Sequence, residues 1–397
     1  MEFVPYFELS RLPRIIFGAG QADQLPERVA ALGRRAVIVT GGSFLAASGH
    51  WDHLVQGLKQ QSVAWFQVKV EEEPSPDLVD RAVAQYHVEN IDVVVGIGGG
   101  SVLDAAKAIA GLLPRGNSVM DHLEGVGRNI PYLGPATPLI AVPTTAGTGS
   151  EATKNAVLSR RGEGGFKKSF RHAALVAHTA IVDPLFLRSC PRALMAAQGM
   201  DAFTQLLESF VSRRANPITD ALAWSGIQAF VEGFFSAIEG DFRAEADLSR
   251  VAYASLMSGI CLAHAGLGSV HGLASPLGAQ YPIPHGVACG TLLAEAVDIN
   301  IRLLLQQQPG SPALAKYAQV GSLFSTPEVD DQAQLHELLV ATLRRWIDSL
   351  DISRLREFGI TQESIPALVA GSWSSNMQSN PALMAEDDVA DLLKRRL

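Results

Sequence analysis

Residues 91–107 read IDVVVGIGGGSVLDAAK, and this stretch decides the fold. Ile91 to Ile97 is a short apolar run rich in β-branched residues, the pattern of a strand buried on both faces. Gly98, Gly99 and Gly100 follow, after which Ser101 to Lys107 takes up helical spacing. Three consecutive glycines let the backbone turn tightly and bring bare N–H groups close to an anion, and the following helix adds its positive N-terminal end. The segment reads as a pyrophosphate cradle between strand and helix, although alone it also suits a plain tight turn. It is not the G-x-G-x-x-G of the ordinary dinucleotide fold, because Leu103 takes the place of the third glycine.

Working outward, further short apolar runs stand at Arg14 to Phe17, Ala36 to Val39, Val63 to Val68, Pro138 to Val142 and Ala180 to Val182. Between them lie helical patterns such as Ala22 to Leu32 and Pro76 to Val88, which is how βαβ units with a parallel sheet appear in sequence. Leu113 to Ala136, rich in Gly and Pro, is expected to form a surface excursion. After Asp183-Pro184 the strand signals fade and Ala/Leu-rich helical patterns take over, with Ser189 as expected N-cap ahead of Pro191. The expected architecture is an α/β N-terminal domain with a parallel sheet, residues 1–188, followed by an all-α domain, residues 189–397. A chain of 397 residues with 47% hydrophobic content can bury two such cores.

The formal net charge of −8 gives no electrostatic reason to attract nucleic acid or an anionic membrane surface. Met1 to Phe7 lacks the pattern of a signal peptide, and no stretch is expected to approach the ~20 apolar residues of a bilayer span, so the cytosol is the expected location. Cys190, Cys261 and Cys289 are far apart and never in a C-x-x-C pair. They are expected to be reduced core thiols, with neither a disulfide framework nor a thiolate zinc site indicated.

A second glycine-rich segment, Pro143-Thr144-Thr145-Ala146-Gly147-Thr148-Gly149-Ser150-Glu151, follows the Pro138 to Val142 run directly. Its hydroxyls suit hydrogen bonds to ribose and phosphate, or it is simply a polar loop. Two such loops at the carboxyl ends of parallel strands converge where α/β proteins bind ligands. The G-G-G-S-x-x-D-x-x-K run at Gly98 to Lys107 and the P-T-T-A-G-T-G-S-E run at Pro143 to Glu151 resemble the two dinucleotide-binding signatures of the iron-containing (group III) alcohol dehydrogenase family. The similarity extends from Arg14 to Asn380-Pro381. The resemblance implies a dinucleotide-binding domain followed by a helical metal- and substrate-binding domain, and a homodimer. It also implies that Gly98, Gly99, Gly100 and Ser101 contact the pyrophosphate, that Asp104 holds the loop, and that Thr144, Thr145 and Thr148 line the cofactor cleft. Lys167 aligns with a family lysine near the nicotinamide ribose. Lys168 beside it leaves that register open, and a solvated surface lysine is the alternative.

Cofactor choice is read from Thr40-Gly41-Gly42-Ser43, directly after the Ala36 to Val39 run. An acidic side chain near the adenosine ribose accepts from its 2′-hydroxyl and repels a 2′-phosphate. Here Gly41 and Gly42 leave room, and Ser43 with neighbouring N–H groups suits a phosphate, so NADP(H) is expected over NAD(H). The alternative is that the glycines only form a turn.

In the second half, Asp201 and Gln205 are four residues apart and share a helix face. His271 and His285 are joined by a segment containing Pro276, Pro282 and Pro284, which must bend and can return both imidazoles to one centre. One carboxylate with two imidazoles suits Fe(II) or Zn(II) and leaves positions open. Each histidine sits in a glycine- and proline-marked motif resembling the family's ligand segments, so Asp201, His271 and His285 are the expected catalytic metal site, with Gln205 a candidate fourth ligand. Most iron-type members carry a histidine at the position of Gln205, and commonly another at that of Ser275. An amide oxygen binds a divalent cation more weakly than imidazole does. Ser275 cannot titrate near neutral pH, so proton passage falls to bulk water or His264.

The resulting function is an NAD(P)-dependent alcohol dehydrogenase or aldehyde reductase that moves hydride between a nicotinamide and a small alcohol or aldehyde, with the cation as Lewis acid. The alternatives are a metal-independent reductase resembling the maleylacetate reductases, an NAD-using lyase resembling 3-dehydroquinate synthase, and a non-catalytic relative suggested only by Gln205 and Ser275. Survival of activity under chelation marks the first, and absence of net NAD(P)H consumption marks the second.

Overall fold

The computed structural model describes all residues except 1–5, 43–44, 46–48, 161–164, 241 and 327–328. The chain divides into two compact units. One is built from Ser10–Cys190 together with Glu239–Ala252, and the other mainly from Pro191–Ile238 and Tyr253–Leu397.

The first unit carries the parallel sheet that the apolar runs predict. Its strands are β1 Arg14–Phe17, β2 Arg35–Thr40, β3 Ala64–Lys69, β4 Val93–Gly98, β5 Leu139–Pro143 and β8 Thr179–Val182, with β6 and β7 given below. They lie in the order β1-β8-β5-β4-β2-β3, each pair parallel. Side chains alternate across the pleat. Val37, Val39 and Val94 enter one core with the helix Gly100–Leu112, while Ala36, Ile38, Val93 and Val95 enter the other. Burial on both faces explains why these strands are continuous apolar runs rather than alternating ones.

One element departs from expectation. β6 Asn155–Arg160 and β7 Phe166–Arg171 pair antiparallel as a separate ribbon. Their polar composition hides the strands, yet Ala156, Leu158, Phe166 and Phe170 alternate into the core beneath. The 113–136 excursion is confirmed as mainly irregular, with one short 3-10 turn at Val119–Asp121.

The second unit is helical, including Arg192–Val211, Pro217–Glu239, Ser269–Gln280 and His285–Gln307. Ser189 does not cap the first of these, because it ends a 3-10 turn begun by Asp183-Pro184, and Pro191 is the N-cap with no side-chain bond. Contrary to the composition-based expectation, Pro217–Glu239 is long and apolar enough to match a bilayer span. Its Ala223, Ile227, Phe230 and Phe234 are buried, at the spacing of a core-facing helix stripe.

Candidate active site

The glycine-rich segments expected to bind the dinucleotide lie in the sheet unit, where β4 and β5 are neighbours and Gly98 pairs with Pro143. Both glycine-rich segments therefore leave the carboxyl ends of adjacent strands, and Thr144 N donates to Gly98 O at 3.1 Å. Gly99 is the N-cap of the helix Gly100–Leu112 and supplies no side-chain cap hydrogen bond to the first N–H groups. Gly99 has φ −75° and ψ −174°, ordinary extended backbone, so the glycine is not required there for a left-handed turn. Its role is spatial. A Cβ at Gly99 would stand 3.1 Å from Thr145 Oγ1, and one at Gly100 would stand 2.7 Å from Thr148 Cγ2. The two loops pack glycine on threonine, which brings Thr145 and Thr148 to the cradle.

A buried polar cluster fixes this arrangement. Asp104 accepts from Ser150 Oγ at 2.5 Å and from Val157 N at 2.9 Å. Lys107 Nζ, fully buried, donates to Ser150 Oγ (2.6 Å), Thr153 Oγ1 (2.7 Å) and Asn155 O (2.9 Å), and lies 3.3 Å from Asp104 Oδ1. The helix after the first glycine segment is thus tied to the end of the second through a saturated ammonium. Burial lowers the Lys107 pKa, opposed by Asp104 and Glu151. Burial likewise pushes the Glu151 carboxyl up to about 7, opposed by its own backbone N–H and by Lys107.

The remaining cofactor candidates are placed less tightly. Lys167 Nζ pairs with Glu73 Oε1 at 2.8 Å, and Ser159 Oγ donates to the other oxygen of Glu73 at 2.6 Å. This lysine is therefore held by a carboxylate rather than solvated. Gly41 and Gly42 follow β2; a Cβ at Gly41 would meet only Val102 Cγ2 at 3.6 Å, and one at Gly42 would meet nothing within 4 Å. Ser43 lies outside the described residues.

The helical unit brings three expected ligands together. Asp201 Oδ1 lies 3.2 Å from His271 Nε2 and 3.8 Å from His285 Nε2. His285 opens its helix directly after Pro284, and Gly286 permits the close approach, since a Cβ there would stand 2.4 Å from Ala197 O. Asp201 is fully buried, and its Oδ2 has no hydrogen-bond partner. An ionised oxygen left bare in the interior is costly unless a cation meets it. Burial works against the charge of Asp201, but His285, His271 and Gln205 outweigh it and hold the carboxyl down at about 2.

Three neighbours were not singled out from sequence. Glu208, two turns along the helix from Asp201, accepts from His271 Nδ1 at 2.6 Å and from Val270 N at 2.7 Å, which leaves His271 Nε2 facing Asp201. Asn380 Oδ1 accepts from Ser269 N at 3.0 Å, so the start of the Ser269–Gln280 helix is capped from distant residues. Cys289 is the third: its Sγ lies 3.6 Å from His271 Nε2 and 3.8 Å from His285 Nε2. All three cysteines are free and buried, as expected, but Cys289 is not an ordinary core thiol. The ligand atoms of Asp201, His271, His285 and Cys289 lie within 4.8 Å of one another. The signal was the His285-x-x-x-Cys289 spacing, one helical turn on one face. Burial pushes the Cys289 thiol up to about 12, opposed by His271. Burial also opposes charging of His271, yet Cys289, Asp201 and Glu208 raise its pKa well above the usual 6.5.

Gln205 stands beside Asp201 and steadies its carboxylate, while its own Oε1 accepts from Ser258 Oγ at 2.9 Å. Ser275 is exposed, with only a 3.5 Å contact to His271 O, and His264 Nδ1 donates to Ile260 O at 2.7 Å.

Residues 13–184 match the model of the iron-containing alcohol dehydrogenase family, and residues 195–397 match that of the family's C-terminal domain. The chain is 36% identical to long-chain-alcohol dehydrogenase 1 of Geobacillus thermodenitrificans, over 70% of this chain and 71% of the relative. It is 28% identical to the NAD-dependent methanol dehydrogenase of Bacillus methanolicus, over 97% of this chain and 98% of the relative. The crystal structure of a 1,3-propanediol oxidoreductase superposes with a TM-score of 0.88 at 29% identity, covering 99% of this chain and all of the other. The chain belongs to the iron-containing alcohol dehydrogenase family and is an oxidoreductase acting on CH–OH groups.

Proposed function

We propose that this chain is an NAD(P)-dependent alcohol dehydrogenase or aldehyde reductase for a small primary alcohol or its aldehyde, with one divalent cation held by Asp201, His271 and His285. The observation that carries the reading is the buried Asp201 carboxylate, whose Oδ1 lies 3.2 and 3.8 Å from the two imidazole Nε2 atoms while its Oδ2 has no hydrogen-bond partner. That donor set fits Fe(II) or Zn(II). When bound, the cation supplies Lewis-acid polarisation of the substrate oxygen, and the nicotinamide supplies or accepts the hydride.

The protein's own residues do the rest. Gly98 to Ser101 and the helix start behind them offer N–H groups to the pyrophosphate, and Thr144, Thr145 and Thr148 contact the dinucleotide. Asp104 and Lys107 keep the two loops in register through Ser150. Lys167, oriented by Glu73, contacts the nicotinamide ribose. Glu208 holds the His271 proton on Nδ1, and Gln205 braces Asp201 instead of serving as a ligand. The exposed hydroxyl of Ser275 exchanges protons directly with water. We propose that the functional division follows 1–188 and 189–397, nucleotide binding in the first part and metal and substrate binding in the second.

The open space at Gly41 and Gly42, with no carboxylate at either position, supports NADP(H) as the preferred cofactor. Oxidation of NADPH and NADH against a series of short aldehydes tests both parts. NADPH is expected to give the higher kcat/KM, and Gly41→Asp should lower NADPH use selectively. A wild-type kcat/KM at least tenfold higher with NADH, about 1.4 kcal/mol, contradicts the preference, and no net consumption of either cofactor contradicts the dehydrogenase reading.

A further inference from the structure

Cys289 is a buried free thiol beside the three expected ligands. It lies one turn after His285 on the same helix face, and its sulfur is nearly equidistant from His271 Nε2 and His285 Nε2, at 3.6 and 3.8 Å. This buried sulfur meets two imidazole nitrogens and belongs to one group of donor atoms with the Asp201 carboxylate.

The spacing matches a coordination shell. A regular tetrahedron with zinc–sulfur at about 2.3 Å and zinc–nitrogen at about 2.0–2.1 Å sets sulfur and nitrogen about 3.6 Å apart, and two nitrogen or oxygen donors about 3.3 Å apart. The observed sulfur-to-nitrogen distances are 3.6 and 3.8 Å, and the oxygen-to-nitrogen distances are 3.2 and 3.8 Å. These four distances lie within about 0.5 Å of the tetrahedral values, and all four donor atoms lie within 4.8 Å of one another.

Gln205 points to the same conclusion independently. At the position where a fourth donor on the Asp201 helix would stand, this side chain turns its oxygen to Ser258. The helix Arg192–Val211 thus offers Asp201, and the helix His285–Gln307 carries both His285 and Cys289.

We propose that Cys289 is the fourth protein ligand of the cation, so that the site is Asp201, His271, His285 and Cys289, and that the sulfur selects zinc over Fe(II). The inference rests on the metal-site reading above. Coordination deprotonates a thiol outright, and the Cys289 proton passes to solvent as the cation enters. Thiolate is a soft donor that suits zinc, whereas a site of nitrogen and oxygen alone also accommodates ferrous iron. Expansion to five-coordination keeps a position for substrate.

X-ray absorption at the zinc edge on the zinc-loaded full chain tests this without any substitution. The expected shell is one sulfur at about 2.3 Å with nitrogen or oxygen donors at about 2.0–2.1 Å. Cys289→Ala should remove the sulfur scatterer and weaken zinc binding, measured by chelator competition, at least roughly tenfold, while narrowing the preference for Zn(II) over Fe(II). Stoichiometric zinc with no sulfur in its shell overturns the thiolate ligand and leaves the other three ligands standing. A wild-type chain that takes up ferrous iron but no zinc overturns the zinc selectivity, and one that takes up neither overturns the metal site itself.

Discussion

Glu208→Gln changes one buried atom and should disable His271 without disturbing the fold. The carboxylate uses both oxygens, one for Val270 N at 2.7 Å and one for His271 Nδ1 at 2.6 Å. Glutamine can still accept from Val270 N, but it then turns an NH2 group toward Nδ1. Two donors cannot share that contact, so the ring must move its proton from Nδ1 to Nε2, the nitrogen that faces Asp201. A ligand nitrogen carrying a proton cannot bind a cation. Losing such a supporting contact typically costs about 10–100-fold in metal affinity, or about 1.4–2.8 kcal/mol. Chelator competition on the purified variant gives the affinity, and far-UV circular dichroism verifies the fold. An affinity within about threefold of wild type would refute the reasoning, because the tautomer switch alone is worth more than that.

The other predictions follow the same geometry. His271→Ala leaves Asp201 and His285 as the strong ligands of the expected set and should remove both metal and most turnover; stoichiometric metal in this variant would sink the assignment. Gly99→Val drives a branched side chain into Thr145, 3.1 Å away at its Cβ, and should weaken dinucleotide binding at least tenfold by calorimetry. Adding Thr145→Gly should recover part of the loss if that clash is the cause, and unchanged affinity in the single variant counts against the cradle. Glu151 holds its proton more tightly folded than unfolded, with a pKa of about 7 against an ordinary 4.5. Stability contributed by its neutral form is therefore lost as pH rises from about 4.5 through 7, by about 1–3 kcal/mol. Glu151→Gln should flatten that decline in denaturant titrations between pH 5 and 8; a variant with the wild-type slope contradicts it.

Most of the sheet was legible because each parallel strand is covered on both faces and so reads as an unbroken apolar run, as at Val93–Gly98. The β6–β7 ribbon was not, because Lys167, Lys168 and Arg171 dominate a strand whose buried side is only Phe166 and Phe170. In the site, motif spacing pointed to Asp201, His271 and His285, which the fold brings together. Glu208 and Asn380 escaped notice because their partners lie 63 and 111 residues away in the chain, distances across which no local pattern operates. Cys289 escaped for a different reason. A cysteine without a neighbouring cysteine resembles core packing, and only its single-turn offset from His285 marked it. Gln205 shares the face of Asp201 as its spacing requires, but a shared face does not determine where an amide points, and Ser258 takes its oxygen.

Metal content and turnover measured on the same preparation test the central claim most directly. One divalent cation per chain is expected, with NAD(P)H-dependent aldehyde reduction that disappears on chelation and recovers when zinc or ferrous iron is returned. Full turnover by protein shown to contain no metal would contradict it, and would make Asp201, His271 and His285 a metal-independent site.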